Sequence, residues 1–380
     1  MTPATPLLEV RGFRIRKGGA DLLDIPALAV GRGETLSLIG PNGAGKSTLL
    51  LGLSGIETPA AGELVFQGER VPSGAAALAY RRRVAMVFQE PLLFDTTVFE
   101  NVASGLRLRA LTKREIDRRV DESLERFRVA HLSDRSARTL SGGEAQRTSL
   151  ARAMAVAPEV LLLDEPFAAL DQQSREGLLD DLARTLRETG TTTIFATHDR
   201  TEAQRLADRV AVLADGRLRQ VGTAEEVLRR PADAFVAAFV GVENLLPVRL
   251  AIRPSRGGWC AVLEGVGSPA AEGAVGPARL EIGGAAPGMI SGSEGLLCIR
   301  PEDVVVAGPG TGGGAPTGNR LLGRVASVVA QGPLNKVAVD CGVRIVAAVS
   351  GQVTRELALA PGCEVAVTLR PSDLYAIPRV

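Results

Sequence analysis

Gly40-Pro41-Asn42-Gly43-Ala44-Gly45-Lys46-Ser47-Thr48 is the stretch from which the rest of this 380-residue chain is read. Its first eight residues fit the phosphate-loop pattern GxxxxGK[ST]. Glycines at 40, 43 and 45 let backbone N–H groups turn inward as an anion nest. The helix that follows adds the positive end of its dipole. The spacing gives Lys46 to the β- and γ-phosphates of a nucleotide and the Ser47 hydroxyl to Mg²⁺. Such a loop needs a strand before it and a helix after it. Residues 35–39 (TLSLI) supply the first and 47–53 (STLLLGL) the second.

About 120 residues further on, a strand of four apolar residues, 160–163, ends in Asp164-Glu165. Carboxylates at the C-terminal end of a strand sit where doubly wound folds bind ligands. Asp164 is expected to hold Mg²⁺ through water, and Glu165 to polarise an attacking water as general base. Runs 34–40, 84–89, 160–165 and 192–198 read as buried strands, separated by amphipathic segments. Ile116, Val120, Leu124 and Phe127 share one helical face, opened by a capping box of Thr112 and Glu115. Leu178, Leu182 and Leu186 share another, stopped by Gly190. The pattern predicts an α/β fold with a largely parallel sheet covered on both faces.

Leu140-Ser141-Gly142-Gly143-Glu144-Ala145-Gln146-Arg147 carries a second anion-seeking helix start. Ser141 and Glu144 form a capping box, and two glycines behind the cap leave N–H groups free at the positive helix end. One chain holds two such helix ends. A pair of copies that share nucleotides between them is the natural solution.

Motifs of this kind, in this order, resemble the nucleotide-binding subunits of ABC transporters, and the resemblance spans residues 1 to about 240. Residues 140–147 are similar to the family signature, with Glu144 where many members have Gln. The resemblance implies ATP and Mg²⁺ as ligands and ATP hydrolysis coupled to transport. It implies nucleotide contacts from Gly40, Pro41, Asn42, Gly43, Ala44, Gly45, Lys46, Ser47 and Thr48, and from Ser141, Gly142, Gly143 and Glu144 of a second copy. Gln89 corresponds to the Q-loop, so Mg²⁺ falls to Ser47, Gln89 and Asp164. Ala169-Leu170-Asp171 corresponds to the D-loop, placing Asp171 at the nucleotide. His198 corresponds to the switch histidine, which with Glu165 makes the catalytic pair. Residues 89–109 would receive a permease's cytoplasmic helix. The implied partners are a second copy, transmembrane permease subunits and, indirectly, a solute-binding protein; the implied place is peripheral, on the cytoplasmic face of the cell membrane. The family stacks adenine on an aromatic residue about two dozen positions before the phosphate loop. Here the neighbourhood reads Arg14-Ile15-Arg16-Lys17-Gly18, so the expectation falls on Phe13 in a shifted register, or on Arg16 or Lys17 over the base.

Lys and Arg total 44 against 43 Asp and Glu, a net charge of +1, which offers no footprint for nucleic acid. The apolar fraction of 45% is ample for packed cores. No basic n-region with an apolar stretch marks residues 1–6, and no run approaches the roughly 18 apolar residues of a membrane helix. Spanning helices are therefore expected from partners. Cys260, Cys298, Cys341 and Cys363 form no CxxC pair, which points to reduced, buried thiols rather than disulfides or zinc.

From 241 onward the chain turns Val- and Gly-rich, with alternating runs at 324–329, 336–340 and 364–369 that predict small β-barrels. The stretch 307–318 (AGPGTGGGAPTG) reads as a connector between two β modules. The expected domains are thus 1–240 and 241–380. Residues 239–246 (FVGVENLL) and 300–304 (RPEDV) resemble importer ATPases that carry a C-terminal OB/TOBE-like regulatory domain. Residues 319–325, 339–342 and 357–365 resemble the modules of molybdate and tungstate importers, which implies uptake of an oxyanion. Importers of iron, sulfate, polyamine or sugar would look nearly the same from this subunit. The rival class, a soluble ABC ATPase of DNA repair or translation, brings tandem nucleotide domains, long coiled coils or a basic surface, none of which this sequence has.

Overall fold

In the computed structural model, residues 6–252, 258–267, 277–310 and 318–379 are described. The first of two units, Met1–Ala224, begins with β1 (Leu8–Lys17) and β2 (Ala20–Val30), an antiparallel pair turned at Gly18 and Gly19, both at positive φ. Then come β3 (Thr35–Ile39), α1 (Lys46–Leu53), β4 (Ala61–Phe66), β5 (Glu69–Arg70), α2 (Leu78–Arg81) and β6 (Val84–Val87). Three helices follow, α3 (Val98–Arg107), α4 (Lys113–Arg126) and α5 (Gly142–Ala155). The unit closes with β7 (Val160–Asp164), α6 (Gln172–Thr189), β8 (Thr192–Thr197), α7 (Arg200–Leu206), β9 (Arg209–Ala214) and β10 (Arg217–Thr223).

The central sheet runs β10-β9-β3-β8-β7-β6, parallel except for β10. Its inner strands β3, β7 and β8 are buried on both faces, and successive residues serve opposite cores. Val160, Leu162 and Ile194 pack with α1 and the β1–β2–β4 sheet. Leu161, Leu163 and Phe195 pack with residues of α3 to α6. Each such leucine or isoleucine contributes about 1.5–3 kcal/mol on burial. The antiparallel sheet β2-β1-β4-β5 has no counterpart among the sequence expectations. β1's apolar alternation, Leu8-Val10 then Phe13-Ile15, is interrupted by a register shift around Gly12, which takes φ 55°.

Three of the parallel strands end just short of a chemically pointed residue. β3 stops at Ile39 before Gly40, β7 at Asp164 before Glu165, and β8 at Thr197 before His198. Because the strands are parallel and in register (Ile39 opposite Thr197, Asp164 opposite Ala196), all three residues emerge at one edge of the sheet. At Thr112, only half of the expected capping box forms. The hydroxyl accepts from the Glu115 N–H, but the Glu115 carboxylate turns to Arg118 and Arg119 instead.

The second unit, Glu225–Val380, starts earlier than the expected boundary at 240. Helices α8 (Ala224–Arg229) and α9 (Ala234–Phe239) fall with it from Glu225 onward, and the Arg300 guanidinium donates to the Leu228 carbonyl of α8. Its strands are β11 (Asn244–Ile252), β12 (Trp259–Gly267), β13 (Pro277–Ile282), β14 (Gly284–Ala285), β15 (Glu294–Ile299), β16 (Val304–Ala307), β17 (Asn319–Gln331), β18 (Leu334–Asp340) and β19 (Arg344–Ser350). Helix α10 (Gly351–Glu356), β20 (Glu364–Leu369) and β21 (Tyr375–Pro378) complete it. The topology of this unit is two sheets that exchange strands. One sheet is β13-β12-β11-β15-β21-β14 and the other β16-β20-β17-β18-β19, so each half lends its last strand to the other's sheet. The exchange covers strand edges that separate modules would leave open, and one hydrophobic core spans both halves. Most of the expected connector, residues 311–317, lies outside the described residues.

The halves are also related residue by residue. Asn244 donates to the Ile299 and Val346 carbonyls and accepts from the Val346 N–H. Asn319 donates to the Leu369 and Glu281 carbonyls and accepts from the Glu281 N–H. Each asparagine therefore ties its own half to the third strand of the other. Arg300-Pro301 and Arg370-Pro371 open matching short 3₁₀ turns, Pro301–Asp303 and Pro371–Asp373.

Cys260, Cys298 and Cys341 are buried free thiols, while Cys363 is only partly buried. Burial pushes Cys298 up to about 12 and Cys341 up to about 11. Among the described residues no helix is long and apolar enough to cross a membrane.

Candidate functional site

The phosphate loop joins β3 to α1, and its glycines have specific steric causes. A Cβ on Gly40 would lie 2.3 Å from the Leu213 carbonyl oxygen of β9. Gly45, at φ 100°, is the N-cap of α1 and would press a Cβ to 3.1 Å from Leu23. Unlike α3 to α7, α1 has no side-chain cap, and its first turn holds no acidic residue. Its free N–H groups and dipole are thus open to an anion.

Lys46 is buried at 6% exposure. Its ammonium donates to the Gly40 and Pro41 carbonyls at 2.9 and 3.1 Å, and lies 3.9 Å from Glu165 Oε1. Burial draws its pKa down, with Glu165 and Asp164 opposing. The Ser47 hydroxyl donates to Asp164 Oδ1 at 2.9 Å, from the first turn of α1 to the end of β7. Burial pushes the Asp164 carboxyl up, Ser47 pulls it down, and the adjacent Glu165 adds to the rise. Serine and carboxylate oxygens side by side are hard donors of the kind Mg²⁺ takes, so this pair fits the ion.

Glu165 sits at φ 43°, a left-handed conformation rare for a non-glycine residue. Its N–H donates to the Ala196 carbonyl at 3.0 Å, which holds the turn in place. The carboxylate then points between two partners, Lys46 on one oxygen and His198 Nδ1 at 3.1 Å on the other. Lys46, Ser47, Asp164, Glu165 and His198 are therefore one hydrogen-bonded and ion-paired cluster. A carboxylate so placed can accept a proton from water, next to a loop shaped for phosphate.

Other expected site residues lie apart from that cluster. Gln89 is exposed, two residues past β6, and its side chain has no hydrogen-bond partner among the described residues. Ser141 caps α5 in a full capping box: its N–H and hydroxyl both meet Glu144 Oε2 at 2.7 and 2.9 Å, while the Glu144 N–H donates back to the hydroxyl. Those bonds to Ser141 hold the Glu144 carboxyl below its usual range. The neighbours of Gly142 and Gly143 within the chain are Ala169, Leu170 and Ser174. Asp171 caps α6, accepting from the Ser174 N–H and hydroxyl. The starts of α5 and α6 thus lie side by side.

Phe13 is corrected outright as an adenine platform. It is fully buried beneath α1, where a Cβ on Gly52 would meet its ring at 2.7 Å. Arg16 is held by Asp21 at 2.7 Å, and Lys17 is exposed and has no partner among the described residues. Leu22 is the apolar side chain exposed here, at 39%. Its backbone carbonyl lies 3.4 Å from the position of a Gly45 Cβ.

Sequence reasoning missed two charged hubs on α6. Asp181 is completely buried and paired with Arg147 at 2.6 Å, Arg128 at 2.9 Å and Arg184 at 2.9 Å. Arg175 reaches towards Asp199 and Glu202, beside His198. A charged residue on the buried face of an otherwise amphipathic helix was the available signal for Asp181. Nothing in the pattern marked Arg175.

Residues 23–168 match the family model described as ABC transporter, and residues 297–377 match the TOBE domain. The sulfate/thiosulfate import ATP-binding protein CysA of Bradyrhizobium diazoefficiens is 42% identical over 310 residues, 80% of this chain and 83% of that one. The spermidine/putrescine import ATP-binding protein PotA 1 of Pseudomonas aeruginosa is 41% identical, covering 74% of each chain. The Fe(3+) ions import ATP-binding protein FbpC of Streptomyces avermitilis is 39% identical, covering 77% of this chain and 83% of its own. Among solved structures, cbiO1 from Clostridium perfringens, part of the ABC transporter complex cbiONQ, superposes with a TM-score of 0.56 at 31% identity, covering 63% of this chain and 96% of that one. A dimeric ATP-binding cassette in a post-hydrolysis state with ADP and Pi gives 0.53 at 27%, covering 57% and 98%. Likeness at this level across most of both chains shows the family: the protein belongs to the ATP-hydrolysing import subunits of ABC transporters and carries a TOBE domain at its C-terminal end.

Proposed function

We propose that two copies of this chain sandwich ATP, each site built from the phosphate loop of one copy and the Ser141–Glu144 helix start of the other. The observation that carries this reading is the pair of anion-seeking helix ends. α1 is uncapped beside Lys46, Asp164, Glu165 and His198, while α5 starts at the exposed Ser141 with α6 as its neighbour. Lys46 exchanges its two loop carbonyls for phosphate oxygens when nucleotide enters. Ser47 and Asp164 would hold Mg²⁺, with Gln89 joining from the end of β6; the ion supplies charge neutralisation at the phosphates. Glu165 orients the attacking water and takes its proton, and His198 meets the terminal phosphate. Closure of the two copies around ATP, and reopening after hydrolysis, would drive permease subunits docked against residues 89–109. That places the chain peripherally on the cytoplasmic face of the membrane. The exposed Leu92 and Phe94, at 57% and 59%, offer such a partner an apolar surface.

For the solute, the import proteins named above support sulfate, polyamine or ferric iron in place of molybdate or tungstate. Sulfate or thiosulfate is the reading we adopt, which keeps an oxyanion as cargo. Radiolabelled sulfate uptake in cells with and without the gene tests it, and uptake unchanged by the deletion rejects it. For the catalytic reading, Glu165→Gln should bind ATP within about threefold of the parent and lose at least about 100-fold in kcat. Turnover close to the parent's would remove Glu165 from the base role.

A further inference from the structure

Three parts of the site meet at the first turn of α6, where Arg175 stands with its N–H bonded to the Asp171 carbonyl at 2.9 Å. Its guanidinium reaches three ways. Nη2 donates to the Leu170 carbonyl at 3.4 Å, Nη1 lies 3.5 Å from Asp199 Oδ2, and Nε lies 4.0 Å from Glu202 Oε1. Leu170 ends the turn that begins at Glu165. Asp199 follows His198 directly, and Glu202 lies in the first turn of α7.

The residues on either side of His198 are braced to one another. The Thr197 hydroxyl donates to the buried Glu202 carboxylate and accepts from the Asp199 N–H at 3.0 Å. Asp199 in turn caps α7, accepting from the Thr201 and Glu202 N–H groups. These bonds tie residues 197–202 into one unit, and His198 is inside it. His198 itself meets Glu165 at one end of the turn 165–171, and Arg175 connects the brace to the other end, at Leu170. The other ion pair between α6 and α7, Arg205 to Asp180, is exposed and away from that turn.

All three reaches of Arg175 are long. Its Nε–H is buried and has no hydrogen-bond partner, although a carboxylate oxygen stands about 1 Å beyond bonding distance. Buried donors are nearly always satisfied, so an orphan facing a nearby acceptor marks a joint that is open in this arrangement. Moving the 197–202 brace towards α6 by about 1 Å would complete Nε–H···Oε1, and the same movement carries His198. Burial pushes the Glu202 carboxyl up, and the added bond from Arg175 would favour its charged form.

We propose that Arg175 is a positioning residue: it sets His198 relative to the turn 165–171 and passes any displacement of that turn to the histidine. Ala169 and Leu170 lie beside the start of α5, so a second copy closing on that end would press on the turn that Arg175 reads. The inference rests on the assignment of His198 to the terminal phosphate.

The test is ATP turnover of the full-length chain for Arg175→Ala, Arg175→Lys, His198→Ala and the double variant Arg175→Ala/His198→Ala. Arg175→Ala should lower kcat by about tenfold or more while KM for ATP stays within about threefold. Arg175→Lys keeps the charge but cannot fork to three acceptors, and should recover only part of the loss. The double variant should be no slower than His198→Ala alone, because the arginine acts through the histidine. Losses that multiply in the double variant, or a wild-type kcat for Arg175→Ala, would overturn the proposal. Undiminished turnover in His198→Ala would instead strike the assignment of His198, and the proposal with it, so the two failures are told apart.

Discussion

At the scale of single residues, the site is decided by a few backbone positions that tolerate nothing else. Gly40 runs under the Leu213 carbonyl, so an added methyl would sit 2.3 Å from a backbone oxygen that cannot swing aside. Gly40→Ala should lose about 3 kcal/mol of stability, read as a lowered melting temperature, and bind ATP at least about tenfold more weakly. Gly43 also takes positive φ, but its Cβ would meet open space. Gly43→Ala should therefore cost less of both. The positions of Lys46, Ser47, Asp164 and Glu165 were legible in the sequence because spacing from a strand end sets them. Phe13 was misread as a base platform because the bulge at Gly12 shifts the alternation by one residue. With that shift, Phe13 and Ile15 continue the buried face of Leu8 and Val10.

At the scale of elements, the parallel strands delivered their residues to one edge as the buried runs implied, and the sequence placed those strands within a residue or two. What it hid was how the helices are locked to one another. α5 begins with the Ser141 cap, and α6 with the Asp171 cap. One turn further along, the Arg147 guanidinium of α5 enters a space beside Gly177 of α6, where a Cβ would come within 3.2 Å of it. It meets the fully buried Asp181 at 2.6 Å and the Phe127 carbonyl at 3.1 Å. Asp181 therefore fixes the rotation of α5 against α6, and with it the aim of the Ser141 end. Removing one partner of a buried pair costs about 3–5 kcal/mol, and the lower end applies because Arg128 and Arg184 reach water. Asp181→Ala should thus lower stability by about 3 kcal/mol in thermal or urea unfolding. A loss below about 0.5 kcal/mol would show that the hub is an ornament of the surface. Contacts of this kind join residues far apart in sequence, so no local pattern announces them.

For the whole molecule, two units carry separate architectures, and the second is a doubled one. Its halves were legible as β-rich runs, but the exchange of β16 and β21 was not, since strand order is not written in alternation. The matching bonds of Asn244 and Asn319 predict matching losses. Asn244→Ala and Asn319→Ala should each destabilise the second unit by about 1–3 kcal/mol, because each leaves buried backbone groups unpaired. Unfolding followed by Trp259 fluorescence reads this, and a large effect at one asparagine with none at the other would contradict the relation between the halves. For the first unit the proposal is larger: that no site is complete within one chain. It can be decided by mixing two inactive variants, Lys46→Ala and Ser141→Arg, each first shown to be folded. In a mixed pair, one site combines both defects, and the other combines an intact phosphate loop with an intact Ser141 helix. Sites shared between copies require ATP turnover to reappear on mixing, whereas a mixture as inactive as either variant alone would mean that each chain builds its site by itself.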